Sequence, residues 1–185
     1  MRARSRQGTV IWITGLSGAG KTTVSLALRE VLEPRCPELV LLDGDVVREL
    51  FGNDLDYNEA SRVKQIGRLR TLAKFLAEQG QVVIVAALYS HPDLLAQNRR
   101  ELPGYFEVYL KTPFEVLRSR DSKGLYADAA SGLTSNVVGV DIPWREPIAP
   151  DAVLDGGGSL TPRDMALKVI RGALSDHSTL MVGLT

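Results

Sequence analysis

The apolar positions of this chain fall into five short runs separated by stretches with helical spacing. Thr9 to Thr14, Leu39 to Leu42, Val82 to Ala86, Tyr105 to Leu110 and Ala152 to Leu154 are largely apolar at consecutive rather than alternate positions, the pattern of strands covered on both faces. Between them, helices are expected over Thr22 to about Glu33, Val46 to Leu50, Asn58 to Gln79, Pro92 to about Arg100 and Pro113 to Arg120, with a weak helical patch at Tyr126 to Ala130 and a last helix over Thr161 to Leu174. In the longest of these, Val63, Ile66, Leu69, Leu72 or Ala73, and Leu76 recur at three- and four-residue steps, and Gly80 supplies a stop. Pro113 suits a first helical turn, and Thr161 or Ser159 suits a cap. Such alternation predicts an α/β domain with a central parallel sheet of about five strands and helices on both faces. Only the segment from Asp121 to Pro150 loses the pattern, and it reads as a polar, mobile stretch. Residues 1–8 read as a basic tail, 9–175 as the domain and 176–185 as a loosely ordered tail.

Composition adds boundaries more than direction. The 185 residues suffice for one domain with a sizeable core, and 44% hydrophobic with 24% charged residues is ordinary for a globular chain. Lys+Arg 22 against Asp+Glu 22 leaves no net charge, so no nucleic-acid partner is expected. Arg2, Arg4 and Arg6 are followed by no apolar region of signal-peptide type, and no run has the ~18 to 20 apolar residues that cross a bilayer, so no membrane association is expected. The single cysteine, Cys36, excludes an intrachain disulfide and fits a cytoplasmic protein with one spare thiol.

The chemistry begins where the first strand ends. Gly15-Leu16-Ser17-Gly18-Ala19-Gly20-Lys21-Thr22, with Thr23 behind it, satisfies G-x-x-x-x-G-K-[ST] between a predicted strand and a predicted helix. Glycines let the backbone turn tightly, successive N–H groups converge on phosphates, and the helix N-terminus adds partial positive charge. Lys21 is expected on the β/γ-phosphates and the Thr22 hydroxyl on Mg²⁺.

In an open parallel sheet, ligands collect beyond the carboxyl ends of the strands. After the second strand come Asp43-Gly44-Asp45 and Arg48. A carboxylate pair beside a phosphate loop can order magnesium water and accept a proton from an acceptor hydroxyl; Asp45 is the candidate base, with Asp43 supporting metal or substrate. The plainer reading of Asp43-Gly44-Asp45 is a turn that caps the next helix. Arg62 and Gln65 share a face of the long helix, and Arg118, Arg120 and Lys123 flank the polar segment, where a phosphoryl-transfer enzyme would keep a lid. Arg68, Arg70, Arg99 and Arg100 read as solvated, and His91 and His177, without partners at metal or triad spacing, as surface residues.

Four motifs together resemble the adenylylsulfate (APS) kinase family: Trp12 to Thr23, Leu42-Asp43-Gly44-Asp45-x-x-Arg48, Arg120-Asp121-x-Lys123-Gly124-Leu125-Tyr126, and Gly139-Val140-Asp141-x-Pro143, in the family's order and spacing from about Val10 to Leu154. The resemblance implies a single-domain P-loop kinase with a mobile lid that moves the γ-phosphoryl group of ATP to the 3′-hydroxyl of adenylylsulfate. By position, Asp45 resembles the family's catalytic aspartate, Arg48 and Arg62 its substrate-anion contacts, and Lys123 its lid lysine. Gly15, Ser17, Gly18, Ala19, Gly20, Lys21, Thr22, Thr23 and Arg120 would hold ATP, with Mg²⁺ on Thr22 and Asp43 or Asp45 reached through water. Arg48, Tyr57, Arg62, Gln65, Leu88, Tyr89, Ser90, Lys123 and Val137 would form the acceptor pocket.

That pocket departs from the family. The family clamps the substrate adenine between two phenylalanines, where this chain has Tyr57 and the non-aromatic Val137. The family's asparagine is Gln65, an arginine shortly after it is Gly67, and Phe-Ile-Ser-Pro-Tyr-Arg after the third strand is here Ala87-Leu88-Tyr89-Ser90-His91-Pro92. Three expectations stay open: an APS kinase with a divergent pocket, a kinase of the same build for another nucleotide conjugate or small hydroxyl metabolite, and a nucleotide-binding module without catalysis. A small molecule is the expected partner, and a homodimer is left open.

Overall fold

The computed structural model describes residues 8–121 and 124–175, and both expected tails, with His177, fall essentially outside that range. Among the described residues the strands are β1 (Thr9–Thr14), β2 (Val40–Asp43), β3 (Val82–Ala87), β4 (Tyr105–Lys111) and β5 (Ala152–Asp155). The helices are α1 (Lys21–Leu32), α2 (Gly44–Leu50), α3 (Glu59–Glu78), α4 (Pro92–Glu101), α5 (Phe114–Arg120), α6 (Leu125–Ala130) and α7 (Pro162–Ala173). All strands run parallel in the order β2-β3-β1-β4-β5, so every expected element is present within a residue or two of its predicted bounds.

Both faces of the sheet are covered, which explains the unbroken apolar runs. In β1, Ile11 and Ile13 point into a core shared with α1 and α7, while Val10 and Trp12 point into a second core under α3 and α4. The helix starts follow local chemistry. Asn58 caps α3 by accepting from the Ser61 N–H, and Thr161 forms a reciprocal capping box with Asp164 at α7. Cys36 lies buried in the α1/α7 core, as an inert thiol.

Four sequence readings are corrected. Val63, placed on the buried stripe of α3, is exposed. Arg70, read as solvated, occupies that stripe, buried, with Nε donating to Asn98 Oδ1 at 2.6 Å and a second nitrogen donating to the Leu94 carbonyl. Arg68 and Arg99 are tied down as well: Arg68 donates both ends of its fork to Asp54 over the Phe51 ring, and Arg99 does the same to Asp151 near the buried Glu107. Arg100 is exposed, as expected. The 121–150 segment is less polar in effect than in composition, since Val137, Val138 and Ile142 are buried.

Candidate active site

β1, β2 and β3 end on one side of the sheet, and there a cleft of about 740 Å³ opens, a size suited to small-molecule ligands. Its floor is the loop between β1 and α1. Gly15 lies so close to β4 that a Cβ would stand 2.7 Å from the Leu110 carbonyl oxygen, and Gly20, the α1 N-cap, has φ 99°, which favours glycine. No side chain caps α1 at that end, so its first-turn N–H groups remain for an anion. The Lys21 ammonium folds over the loop and donates to the carbonyls of Gly15 at 2.9 Å and Leu16 at 2.8 Å.

The β2 end supplies the acidic pair. Asp43 divides its two oxygens: Oδ1 accepts the Asp45 N–H at 2.9 Å and so caps α2, while Oδ2 accepts the Thr22 hydroxyl proton at 2.8 Å. The plainer reading of Asp43-Gly44-Asp45, a turn that caps the next helix, therefore holds, and the same side chain also reaches the phosphate loop. Because the Thr22 hydroxyl is donated to a carboxylate, its oxygen lone pairs are turned away and available to a hard cation. Together these oxygens fit Mg²⁺, which binds through one or two carboxylates plus water and phosphate rather than a full protein cage. No cluster of three or more His, Cys, Asp or Glu side chains that could hold a metal occurs among the described residues. Asp45 lies on the exposed start of α2, lining the cleft.

Two cations and one ring line the same cleft. Arg48, buried, donates to the carbonyls of Leu55 and Asp56 at 2.7 and 3.1 Å, with its guanidinium 4.7 Å from the Tyr57 ring centre. Arg62 donates to the carbonyls of Tyr57 and Asn136, both at 2.7 Å, and lies 5.7 Å from the same ring. Burial, and then the neighbouring Arg48 charge, lower the Arg62 pKa from its ordinary value, yet a guanidinium keeps its proton. Two arginines held by backbone carbonyls around one exposed tyrosine put fixed positive charge on the cleft, where an anion can be received. Gln65, buried, donates to the Gly44 carbonyl at 2.9 Å, while its own side-chain oxygen has no protein partner.

The β3 end is remodelled as the sequence suggests. Tyr89 is buried and its hydroxyl donates to Glu59 at 3.0 Å; burial first, then Glu59, push its pKa up. Leu88 and Tyr89 line the cleft, whereas Ser90 is buried outside it. His91 is the N-cap residue of α4, and its Nε2 lies 2.7 Å from an Arg145 nitrogen.

Of the expected site residues, Ser17, Gly18, Gly20, Lys21, Thr22, Thr23, Asp43, Asp45, Arg48, Tyr57, Arg62, Gln65, Leu88, Tyr89 and Val137 converge on this one cleft. Gly15 and Ala19 shape the loop from behind, Arg120 ends α5 exposed and away from the cleft lining, and Lys123 lies outside the described residues. Several contributors carried no earlier role. Asp121 accepts the N–H groups of Tyr126 and Ala127 at the start of α6, and the Tyr126 hydroxyl, its pKa pushed up to about 12 by burial and then by Asp121, reaches the phosphate loop. Asp141 accepts the N–H groups of Asn136 and Val137; desolvation acts to raise its pKa, but backbone N–H groups together outweigh it and hold the carboxyl below the usual range. Both aspartates lie within the quoted motifs, which was the available signal.

A sequence model of the adenylylsulphate kinase family matches residues 7–155. A cytidine diphosphoramidate kinase of Campylobacter jejuni is 40% identical over 140 residues, covering 76% of this chain and 82% of its own length. An adenylyl-sulfate kinase of Chloroflexus aurantiacus is 39% identical over 150 residues, 81% of either chain. The solved APS kinase of Mycobacterium tuberculosis, in complex with AMPPNP and APS, superposes with a TM-score of 0.84 at 32% identity, over 92% of this chain and 99% of that one.

Proposed function

The chain belongs to the adenylylsulphate kinase family and is an ATP-dependent small-molecule kinase, and from that premise we propose that it transfers the γ-phosphoryl group of ATP to the ribose 3′-hydroxyl of adenylylsulfate. Lys21 and the α1 N-terminus take the phosphates, and Thr22, steadied by Asp43, holds Mg²⁺. The ion supplies neutralisation of charge on the transferring group. Asp45 orients the acceptor hydroxyl and takes its proton, Arg48 and Arg62 receive the anionic tail, and Tyr57 faces the base. Arg120 is assigned to ATP, and Lys123 to catalysis and the acceptor as the lid lysine, on the resemblance to the family.

The observation that carries this reading is the Thr22–Asp43 hydrogen bond two residues before Asp45, on a cleft that Arg48, Tyr57 and Arg62 also line. It supports a donor half and an anion-reading acceptor half that share one candidate base. Steady-state assay with ATP, Mg²⁺ and APS tests it. Phosphorylated product is expected, and no turnover at saturating APS by a protein that binds ATP would remove APS as the acceptor.

A second reading is a cytidine conjugate of the kind named for the Campylobacter relative. The observation favouring it is the buried Val137, which leaves Tyr57 as the only aromatic wall at the expected clamp. Base stacking contributes about 1–3 kcal/mol per aromatic contact, and a pyrimidine, with less ring surface, has less to lose than adenine. A higher kcat/KM for cytidine diphosphoramidate than for APS would decide for it. We further assign residues 9–175 to the catalytic domain and the protein to the cytoplasm, where ATP is abundant. Whether the chain forms a homodimer is decided by light scattering.

A further inference from the structure

The loop that cradles the phosphates is held by its carbonyls. Lys21 takes those of Gly15 and Leu16, the Val24 N–H takes that of Gly20, and the Thr112 hydroxyl lies 3.5 Å from that of Ala19. The Ser17 carbonyl of the same loop is held from elsewhere in the fold. Its donor is the hydroxyl of Tyr126, 2.9 Å away and 109 residues later in the chain.

Tyr126 is well placed to hold that bond in one direction. Its side chain is buried, its ring meets Phe114 edge-on at 5.3 Å, and its own N–H and that of Ala127 are fixed by the two oxygens of Asp121. Gly124 donates to the Asp121 carbonyl, closing the turn at the start of α6. The hydroxyl is thus the tip of a strut braced on α5 and α6. Since a peptide unit is planar and trans, fixing the direction of the Ser17 C=O also fixes that of the Gly18 N–H, and Gly18 lines the cleft.

We propose that Tyr126 is a positioning residue for nucleotide binding: its hydroxyl sets the Ser17–Gly18 peptide so that the Gly18 N–H is aimed at the nucleotide phosphates. Without it that peptide is free to rotate, and each binding event must order it. The effect lies in the phosphate half of the nucleotide and is independent of which acceptor the enzyme uses.

Tyr126→Phe removes the hydroxyl and keeps the ring on Phe114. Calorimetric titration of the full chain with ADP and with inorganic pyrophosphate reads the result. Both Kd values are expected to rise about five- to ten-fold, the scale of one hydrogen bond, with the thermal midpoint lower by no more than about 4 °C. An unchanged pyrophosphate Kd in folded Tyr126→Phe overturns the proposal, whether or not ADP weakens. Should that variant not fold, Asp121→Ala decides: it leaves the hydroxyl in place and frees the helix that carries it. Pyrophosphate binding weakened in the same direction supports the strut, and unchanged binding refutes it.

Discussion

Asp43 performs two tasks with two oxygens, and a one-atom substitution separates them. In Asp43→Asn the amide oxygen can keep the Asp45 N–H, the bond that caps α2 at 2.9 Å. The amide nitrogen then faces the Thr22 hydroxyl across the present 2.8 Å contact, where a carboxylate oxygen now accepts. A nitrogen donor there forces Thr22 to accept, which occupies one of its two lone pairs and turns its proton away from residue 43, toward the side where Mg²⁺ would bind. Asparagine is as good an N-cap as aspartate, so the thermal midpoint should move by about 1 °C or less. Disturbing a partner that orients a metal ligand costs about 10- to 100-fold, so kcat should fall by that factor, equal to about 1.4–2.7 kcal/mol, and the Mg²⁺ concentration for half-maximal rate should rise. Asp43→Ala loses the cap too and should show the same kinetic loss with a midpoint about 2–4 °C lower, from roughly 1 kcal/mol of capping. The assay is a magnesium titration of initial rates beside thermal unfolding. Asp43→Asn with wild-type kcat and Mg²⁺ dependence would refute the reasoning, leaving Asp43 a cap and nothing more.

Other outcomes follow from the same geometry. Asp45→Asn should lower kcat by about 10² to 10⁴ with ADP affinity unchanged, and an unaltered kcat removes Asp45 as the base. Arg70→Met leaves Asn98 Oδ1 and the Leu94 carbonyl without their donor in a buried site and should cost about 2–3 kcal/mol, a midpoint about 5–10 °C lower with normal kcat at 25 °C. A midpoint within about 2 °C of wild type would show that water replaces the guanidinium. Glu107 has its pKa raised by burial, so its protonated form favours the fold: that contribution is complete below the unfolded carboxyl pKa and is lost as pH rises through the folded one. Glu107→Gln, which can still accept the Tyr105 hydroxyl, should therefore flatten the fall in thermal midpoint from acidic pH toward neutrality. A midpoint at pH 7 lowered by more than about 5 °C would mean that the Arg99 pairing outweighs burial.

The donor half of the site was legible because its chemistry is local: one strand, one turn and one helix carry the loop, and Asp43, Asp45 and Arg48 follow the next strand within six residues. The sheet was equally readable, since doubly covered strands leave unbroken apolar runs. What escaped was made by distant pairs. Arg70 lies four residues from Ile66 and three from Ala73, so helical period did place it on the buried stripe; its charge overrode that signal, and its partner Asn98 belongs to another helix. Val63 shows the opposite error, an apolar residue at apparent spacing left in solvent beside the acceptor cleft. Tyr126 and Ser17, 109 residues apart, meet only through the fold. The departures at Tyr89 and Val137 were visible as residue types, but not that Tyr89 would turn its hydroxyl to Glu59.

The most direct test of the account follows the label of γ-³³P-ATP in parallel reactions with APS and with cytidine diphosphoramidate, Mg²⁺ present, for the wild type and Asp45→Asn. Label should appear on the 3′-hydroxyl of at least one of these conjugates and be lost, by about two orders of magnitude or more, in the variant. Bound ATP with no label on either conjugate, or equal labelling by Asp45→Asn, would contradict it.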